Sequence, residues 1–158
     1  MANVIFTVGN SMMGDDGAGP LLADLLTRTP AQDWVVIDGG SAPENHVDQV
    51  LAHQPRRVIV FDAAEMGARH GAVHTVDPRM IADMFFMTTH NMPLSFMIDR
   101  IRETGVDVDF VGIQPAVVAF SFPMMDVVRQ GVEAVHAHLC SGTPLPEFAP
   151  LLTEDALI

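Results

Sequence analysis

Val4-Ile5-Phe6-Thr7-Val8-Gly9-Asn10-Ser11-Met12-Met13-Gly14-Asp15-Asp16-Gly17-Ala18-Gly19-Pro20 sets the architecture near the start of the chain. A short apolar run with strand character enters a glycine-rich loop. The loop opens a helical pattern, with Leu21, Leu22, Leu25 and Leu26 at helical spacing behind Pro20, a residue suited to a first helical turn. Strand, glycine loop and helix in that order normally suggest a phosphate cradle built from backbone N–H groups. This loop instead carries two adjacent carboxylates and no lysine. Asp15 and Asp16 would repel a nucleotide, and they suit a metal cation or a proton.

The same alternation continues outward. Trp34-Val35-Val36-Ile37-Asp38 reads as a second strand ending in Gly39-Gly40, and Ser41 with Glu44 has the spacing of a capping box that opens a helix toward His53. Arg57–Asp62 is a third strand, almost wholly apolar, as expected when both faces are covered. Ala72–Val76 fits a short fourth strand, Met80–Phe86 a short helix and Thr88–Met92 a loop. Pro93 opens a helix to about Thr104, and Val106–Ile113 is a last strand ending at Gln114-Pro115. Pro123 begins a final helix with Val128, Val132, Val135 and Leu139 on one face. From Ser141 onward Gly142, Pro144, Pro146 and Pro150 give the look of a loose tail. The expectation is one domain over 1–140, a tail over 141–158, and an α/β sandwich around a mostly parallel sheet.

The composition narrows the function classes. With 158 residues and 49% apolar content the chain can bury a core. Eight Lys+Arg against twenty Asp+Glu give a net charge of −12, which opposes binding to nucleic acid or an anionic membrane. The only cysteine, Cys140, excludes an internal disulfide and fits a reducing compartment. No signal segment and no run long enough to span a bilayer is visible, so the reading is a soluble cytoplasmic protein.

In a parallel α/β sheet, ligands sit beyond the carboxyl ends of the strands. Asp15 and Asp16 follow the first strand, Asp38 closes the second and Asp62 closes the third, so one crevice can collect them. Each has a plainer reading. Asp62 could cap a turn through Ala63-Ala64, and one of Asp15 and Asp16 could be a helix cap. Adjacent residues rarely face the same ligand, so one acid is expected in the site and one outside it. Of seven histidines, His90 is the best ligand candidate, because its Thr-Thr-His-Asn-Met-Pro loop offers groups to orient the ring. His46 and His53 read as solvated, and His70 and His74 as flanking a turn. His136 and His138 point to different sides of a helix. Two carboxylates and an imidazole suit Zn, Mn, Fe or Ni, and three protein ligands leave positions open for exchange or catalysis. Met80, Met84 and Met87 form a helical stripe that reads as core filling, whereas Met12-Met13 are better placed for an adaptable docking surface. Cys140 reads as a bystander.

These stretches resemble the nickel–iron hydrogenase maturation endopeptidases, most closely the type serving hydrogenase 3 of the formate hydrogenlyase system. The matching segments are Val8–Pro20, Trp34–Asn45, Asp62-Ala63, Met87–Leu94 and Gly112–Pro115, and the resemblance runs to about Cys140. It implies a three-layer α/β/α sandwich around a mostly parallel, twisted five-stranded sheet. It also implies removal of a C-terminal extension from a hydrogenase large-subunit precursor once nickel is inserted. Metal ligands carried over are Asp16, Asp62 and His90, with Asp38 near the cleft as a further catalytic candidate. Nickel would be supplied by the substrate, and the enzyme would be a monomer. Two other readings are a self-contained metallopeptidase with its own zinc or manganese, and a nickel-binding chaperone that leaves the precursor uncut.

Overall fold

The computed structural model describes residues 3–76 and 94–141. Among the described residues there are five strands and four helices, in the order β1 (Asn3–Thr7), α1 (Ala18–Arg28), β2 (Trp34–Asp38), α2 (Val47–Ala52), β3 (Arg57–Ala63), β4 (Val73–Val76), α3 (Leu94–Arg102), β5 (Asp107–Ile113) and α4 (Asp126–Cys140). The sheet order is β2-β1-β3-β5-β4. β1 pairs in parallel with both β2 and β3, and β3 pairs in parallel with β5. β4 alone runs antiparallel, against β5 at the edge.

Strand alternation splits the core into two layers. Val4, Phe6, Val58, Val60, Val108 and Phe110 face α2 and α3, where Val50, Met97, Ile98 and Ile101 close the packing. Ile5, Ile59, Phe61, Val111 and Ile113 face α1 and α4, meeting Leu22, Leu26, Val128, Val132, Val135 and Leu139. Helices therefore cover both faces, which is why the middles of β1 and β3 read as apolar runs. The three-layer sandwich expected from the sequence is the fold observed.

Two local expectations need correction. The capping box at Ser41 and Glu44 does not form. Ala42 occupies the N-cap position without a side-chain bond, and a 3-10 turn over Pro43–His46 precedes α2. With Pro43 as its first residue the turn starts one position too late for Ser41 to be the N-cap and Glu44 the third residue. The final helix starts at Asp126, not Pro123, because Met125 is extended (φ −70, ψ 143) and its N–H is tied to the Asp15 carboxylate. The expected Met80–Phe86 helix, the Met80/Met84/Met87 stripe, the 88–92 loop with His90 and the tail beyond Ser141 lie outside the described residues. Among the described residues no helix is long and apolar enough to cross a membrane.

Candidate active site

The carboxyl ends of β1, β2 and β3 are stitched together. The Val8 N–H donates to Phe61 O at 2.9 Å, carrying the β1–β3 ladder one residue past the strand. Gly39 N–H donates to Thr7 O at 2.7 Å and Gly9 N–H to Gly40 O at 2.9 Å, which joins the turns after β1 and β2. Gly9 has φ +145, and a Cβ there would fall 2.1 Å from Asp16 O, so the acidic turn folds directly back over it. Gly19 likewise sits against β1, since its Cβ would meet Val8 O at 2.1 Å. Only glycine at these two positions lets the Asp16 turn and the start of α1 press onto the strand.

Asp16 lies in a 3-10 turn, Gly14–Gly17, that packs against β3. It is partly buried, and its Oδ2 accepts the Asn10 N–H at 2.9 Å. Asp62 is fully buried. It stands inside β3, in register with Gly112, and the Ala64 N–H continues the ladder to Ile113 O at 3.0 Å. No turn starts at Ala63-Ala64, so the turn-capping reading of Asp62 is overturned.

By alternation Asp62 shares the sheet face of Val58 and Val60, the α2/α3 face. α3 has its C-terminal end at the opposite edge of the sheet, where the Arg102 guanidinium donates to Val108 O at 2.7 Å. Its nine residues rise about 13 Å at the α-helical rise. Leu94 therefore opens the helix toward the carboxyl edge, on the Asp62 face. His90 is four residues earlier in the sequence, outside the described residues.

The other two acids have different places. Asp38 is exposed; its Oδ1 accepts the Gly40 N–H at 3.0 Å and the Thr7 hydroxyl at 3.4 Å. This is an Asx-type turn at the rim of the same edge. Asp15 is fully buried and binds three backbone N–H groups: Ala116 at 2.8 Å and Val117 at 2.7 Å through Oδ2, and Met125 at 2.8 Å through Oδ1. Neither acid is a helix cap, since the N-cap residues are Met13 and Gly17. The two adjacent acids therefore have different partners: Asp15 is taken up by the segment that follows β5, and Asp16 accepts the Asn10 N–H.

Gln114 belongs to the same framework. It is buried, and its Oε1 accepts the Met66 and Ala68 N–H groups at 2.7 and 3.2 Å, while Nε2 donates to Glu65 and to Pro115 O. It fastens the segment that leaves β3 just after Asp62. Its sequence signal is limited to its place in Gly112–Pro115.

The remaining candidates fall outward. His46 contacts Gln49, His53 and His70 are exposed, and His74 lies within β4 rather than beside a turn. His136 Nε2 lies 2.9 Å from Thr29 O, and the exposed Cys140 Sγ lies 3.4 Å from that same nitrogen. The i,i+4 spacing on α4 explains this pair, which the reading of Cys140 as a bystander did not anticipate. Met12 is exposed at the carboxyl edge, and its carbonyl accepts the Ser121 N–H at 2.8 Å. Phe120 and Phe122 beside Ser121 are also exposed.

A family model described as hydrogenase maturation protease matches residues 21–141. The hydrogenase 3 maturation protease of Escherichia coli K12 is 47% identical over 155 residues, covering 98% of this chain and 99% of that protein. The solution structure of the endopeptidase HycI from Escherichia coli agrees with TM-score 0.89 at 47% identity, over 98% of this chain and 99% of that one. The hydrogenase maturating endopeptidase HybD from Escherichia coli, at 17% identity, shares the fold with TM-score 0.70 over 87% of this chain and 88% of that one. End-to-end likeness at this level sets aside a chaperone without proteolysis: the chain belongs to the hydrogenase maturation protease family and is a peptide hydrolase.

Proposed function

We propose that this enzyme removes the C-terminal extension of a nickel–iron hydrogenase large-subunit precursor after nickel insertion, reading the precursor's own nickel through Asp16, Asp62 and His90. The observation that carries this reading is the placement of Asp62. It is a fully buried carboxylate on the sheet face where α3 opens toward the carboxyl edge, with the Asp16 turn packed on the same strand. Burying an ionised carboxylate is costly unless donors or a cation compensate it.

The donor chemistry fits a borderline divalent ion, since two carboxylates and an imidazole suit nickel as well as zinc or manganese. Among the described residues no three His, Cys, Asp or Glu side chains are grouped to hold a metal. His90, the third ligand in this reading, lies outside those residues, and the ion itself is the one the precursor carries. A bound divalent ion supplies Lewis acidity at the scissile carbonyl or its water. Asp38, exposed at the rim and held by Gly40 and Thr7, orients the attacking water and takes its proton. We place the enzyme in the cytoplasm, in line with its single cysteine, which is exposed and free, and as a monomer, which the family resemblance favours.

The test is intact mass of a large-subunit precursor incubated with the enzyme, with and without prior nickel loading. Loss of a C-terminal peptide from the loaded precursor alone is expected. Asp62→Asn keeps the shape and weakens the ligand, so processing should drop by at least tenfold. Processing untouched by Asp62→Asn would sink the metal-contact reading, and cleavage regardless of nickel would favour a protease with its own metal.

A further inference from the structure

We infer that Asp15 is a positioning residue for the hydrolysis: its buried carboxylate locks the Asp16 turn to the 115–125 segment and so fixes where Asp16 is presented. The inference rests on the reading that Asp16 contacts the substrate. The two segments are separated by about a hundred positions in the chain, and their contacts are continuous. The Asp15 carboxylate takes the Ala116, Val117 and Met125 N–H groups, and the Asp15 N–H donates to Val117 O at 2.8 Å. Gly14, with φ +61, presses on the same residue, since a Cβ there would lie 2.7 Å from Val117 O. At the far end Ser121, itself in the left-handed region at φ 65, donates to Met12 O at 2.8 Å. A non-glycine residue keeps such a backbone only where its surroundings over-determine it.

The chemistry requires a carboxylate. Three N–H donors converge from two directions, and an ionised carboxylate has no hydrogen to oppose them. An asparagine would turn an NH2 group toward at least one of them and strand a buried donor. Asp16 is the next residue in the same 3-10 turn, so it moves with the Asp15 peptide. The Asn10 N–H, bonded to Asp16 Oδ2, reports where that carboxylate sits.

The experiment compares Asp15→Asn with the wild type in the full chain, by amide hydrogen exchange and by steady-state processing of the nickel-loaded precursor. Protection at Asn10, Ala116, Val117 and Met125 should fall at least tenfold, while Ile5 and Ile59 in the central strands keep theirs. The kcat should fall about 10- to 100-fold, the scale of a displacement near 1 Å at a reacting group. Gly14→Ala, which disturbs the same apposition and leaves the carboxylate in place, should reproduce both effects and serves if Asp15→Asn fails to fold. Unchanged protection at Asn10, or unchanged kcat with only a lowered melting temperature, would make Asp15 merely structural and overturn the inference. The nickel reading is judged separately: wild-type enzyme that processes loaded and unloaded precursor equally refutes that reading, and the Asp15 comparison is then made on either precursor.

Discussion

Substituting Gly9 with alanine attacks the site through its backbone support and leaves every acid in place. The added Cβ would lie 2.1 Å from Asp16 O, 3.2 Å from Pro20 Cδ and 3.3 Å from Asp16 C. Ordinary contact begins at 3.4 Å, so the Asp16 carbonyl must retreat by 3.4 − 2.1 = 1.3 Å. The φ of +145 adds backbone strain that glycine does not feel. Strain of this kind costs about 1–3 kcal/mol and overpacking about 1–3 kcal/mol, giving roughly 2–6 kcal/mol together. For a domain of this size each kcal/mol lowers the melting temperature by about 2–4 °C, so a drop of about 4–24 °C follows. Because Asp16 is displaced, precursor processing should also fall by about 100-fold at temperatures where the variant remains folded. Differential scanning fluorimetry and intact-mass kinetics read both effects. Gly40→Ala is the control: φ there is +58 but a Cβ meets nothing within 4 Å, so only the left-handed backbone cost of about 1–2 kcal/mol applies. Gly9→Ala that melts like the wild type and processes at the wild-type rate would refute the close approach. A lowered melting temperature with a normal rate would refute the link between that approach and Asp16.

Gln114→Ala should lower stability by roughly 2–5 kcal/mol, since it strands the Met66 and Ala68 N–H groups and leaves a void; chemical denaturation with an unchanged midpoint would contradict this. Cys140→Ser should leave processing at the wild-type rate, because the thiol is exposed on α4 and its contacts are His136 and Thr29 O. A loss of activity beyond about twofold would show that the thiol does more than sit beside His136.

The parallel core was legible at β1 and β3, whose middles are covered on both faces and so are written as apolar runs, while β5, which opens with Asp107 and Asp109, was legible by its alternation. The direction of β4 was not, since Val73-His74-Thr75-Val76 has no residue that distinguishes parallel from antiparallel pairing. The onset of α4 was misread for a tertiary reason. Pro123 is a good helix opener locally, yet Asp15 holds the Met125 N–H, and this bond to a residue far back in the chain delays the first turn. Ser41 and Glu44 fit a motif spacing that Pro43 overrides by starting a 3-10 turn.

The four acids show why a site can be half visible. Asp38 and Asp62 look alike in sequence, each closing an apolar run, but β2 is the edge of the sheet and β3 lies between β1 and β5. Asp38, in register with Thr7 and Phe61, also lies on the α1/α4 side, so it is exposed at the edge and serves a turn, whereas Asp62 is sealed on the α2/α3 side of an interior strand. Asp15 and Asp16 are neighbours on a turn with about three residues per revolution, so they must diverge by about a third of a turn. Divergence alone says that the two carboxylates part without saying which of them the rest of the fold takes up. The choice is made by three N–H groups from the 115–125 segment, which claim Asp15 and leave Asp16 beside Asn10 and Gly9. An acidic pair of this sort therefore divides its labour by long-range contact: the buried member holds two loops at a fixed spacing, and the partly buried member is presented at the height that spacing dictates.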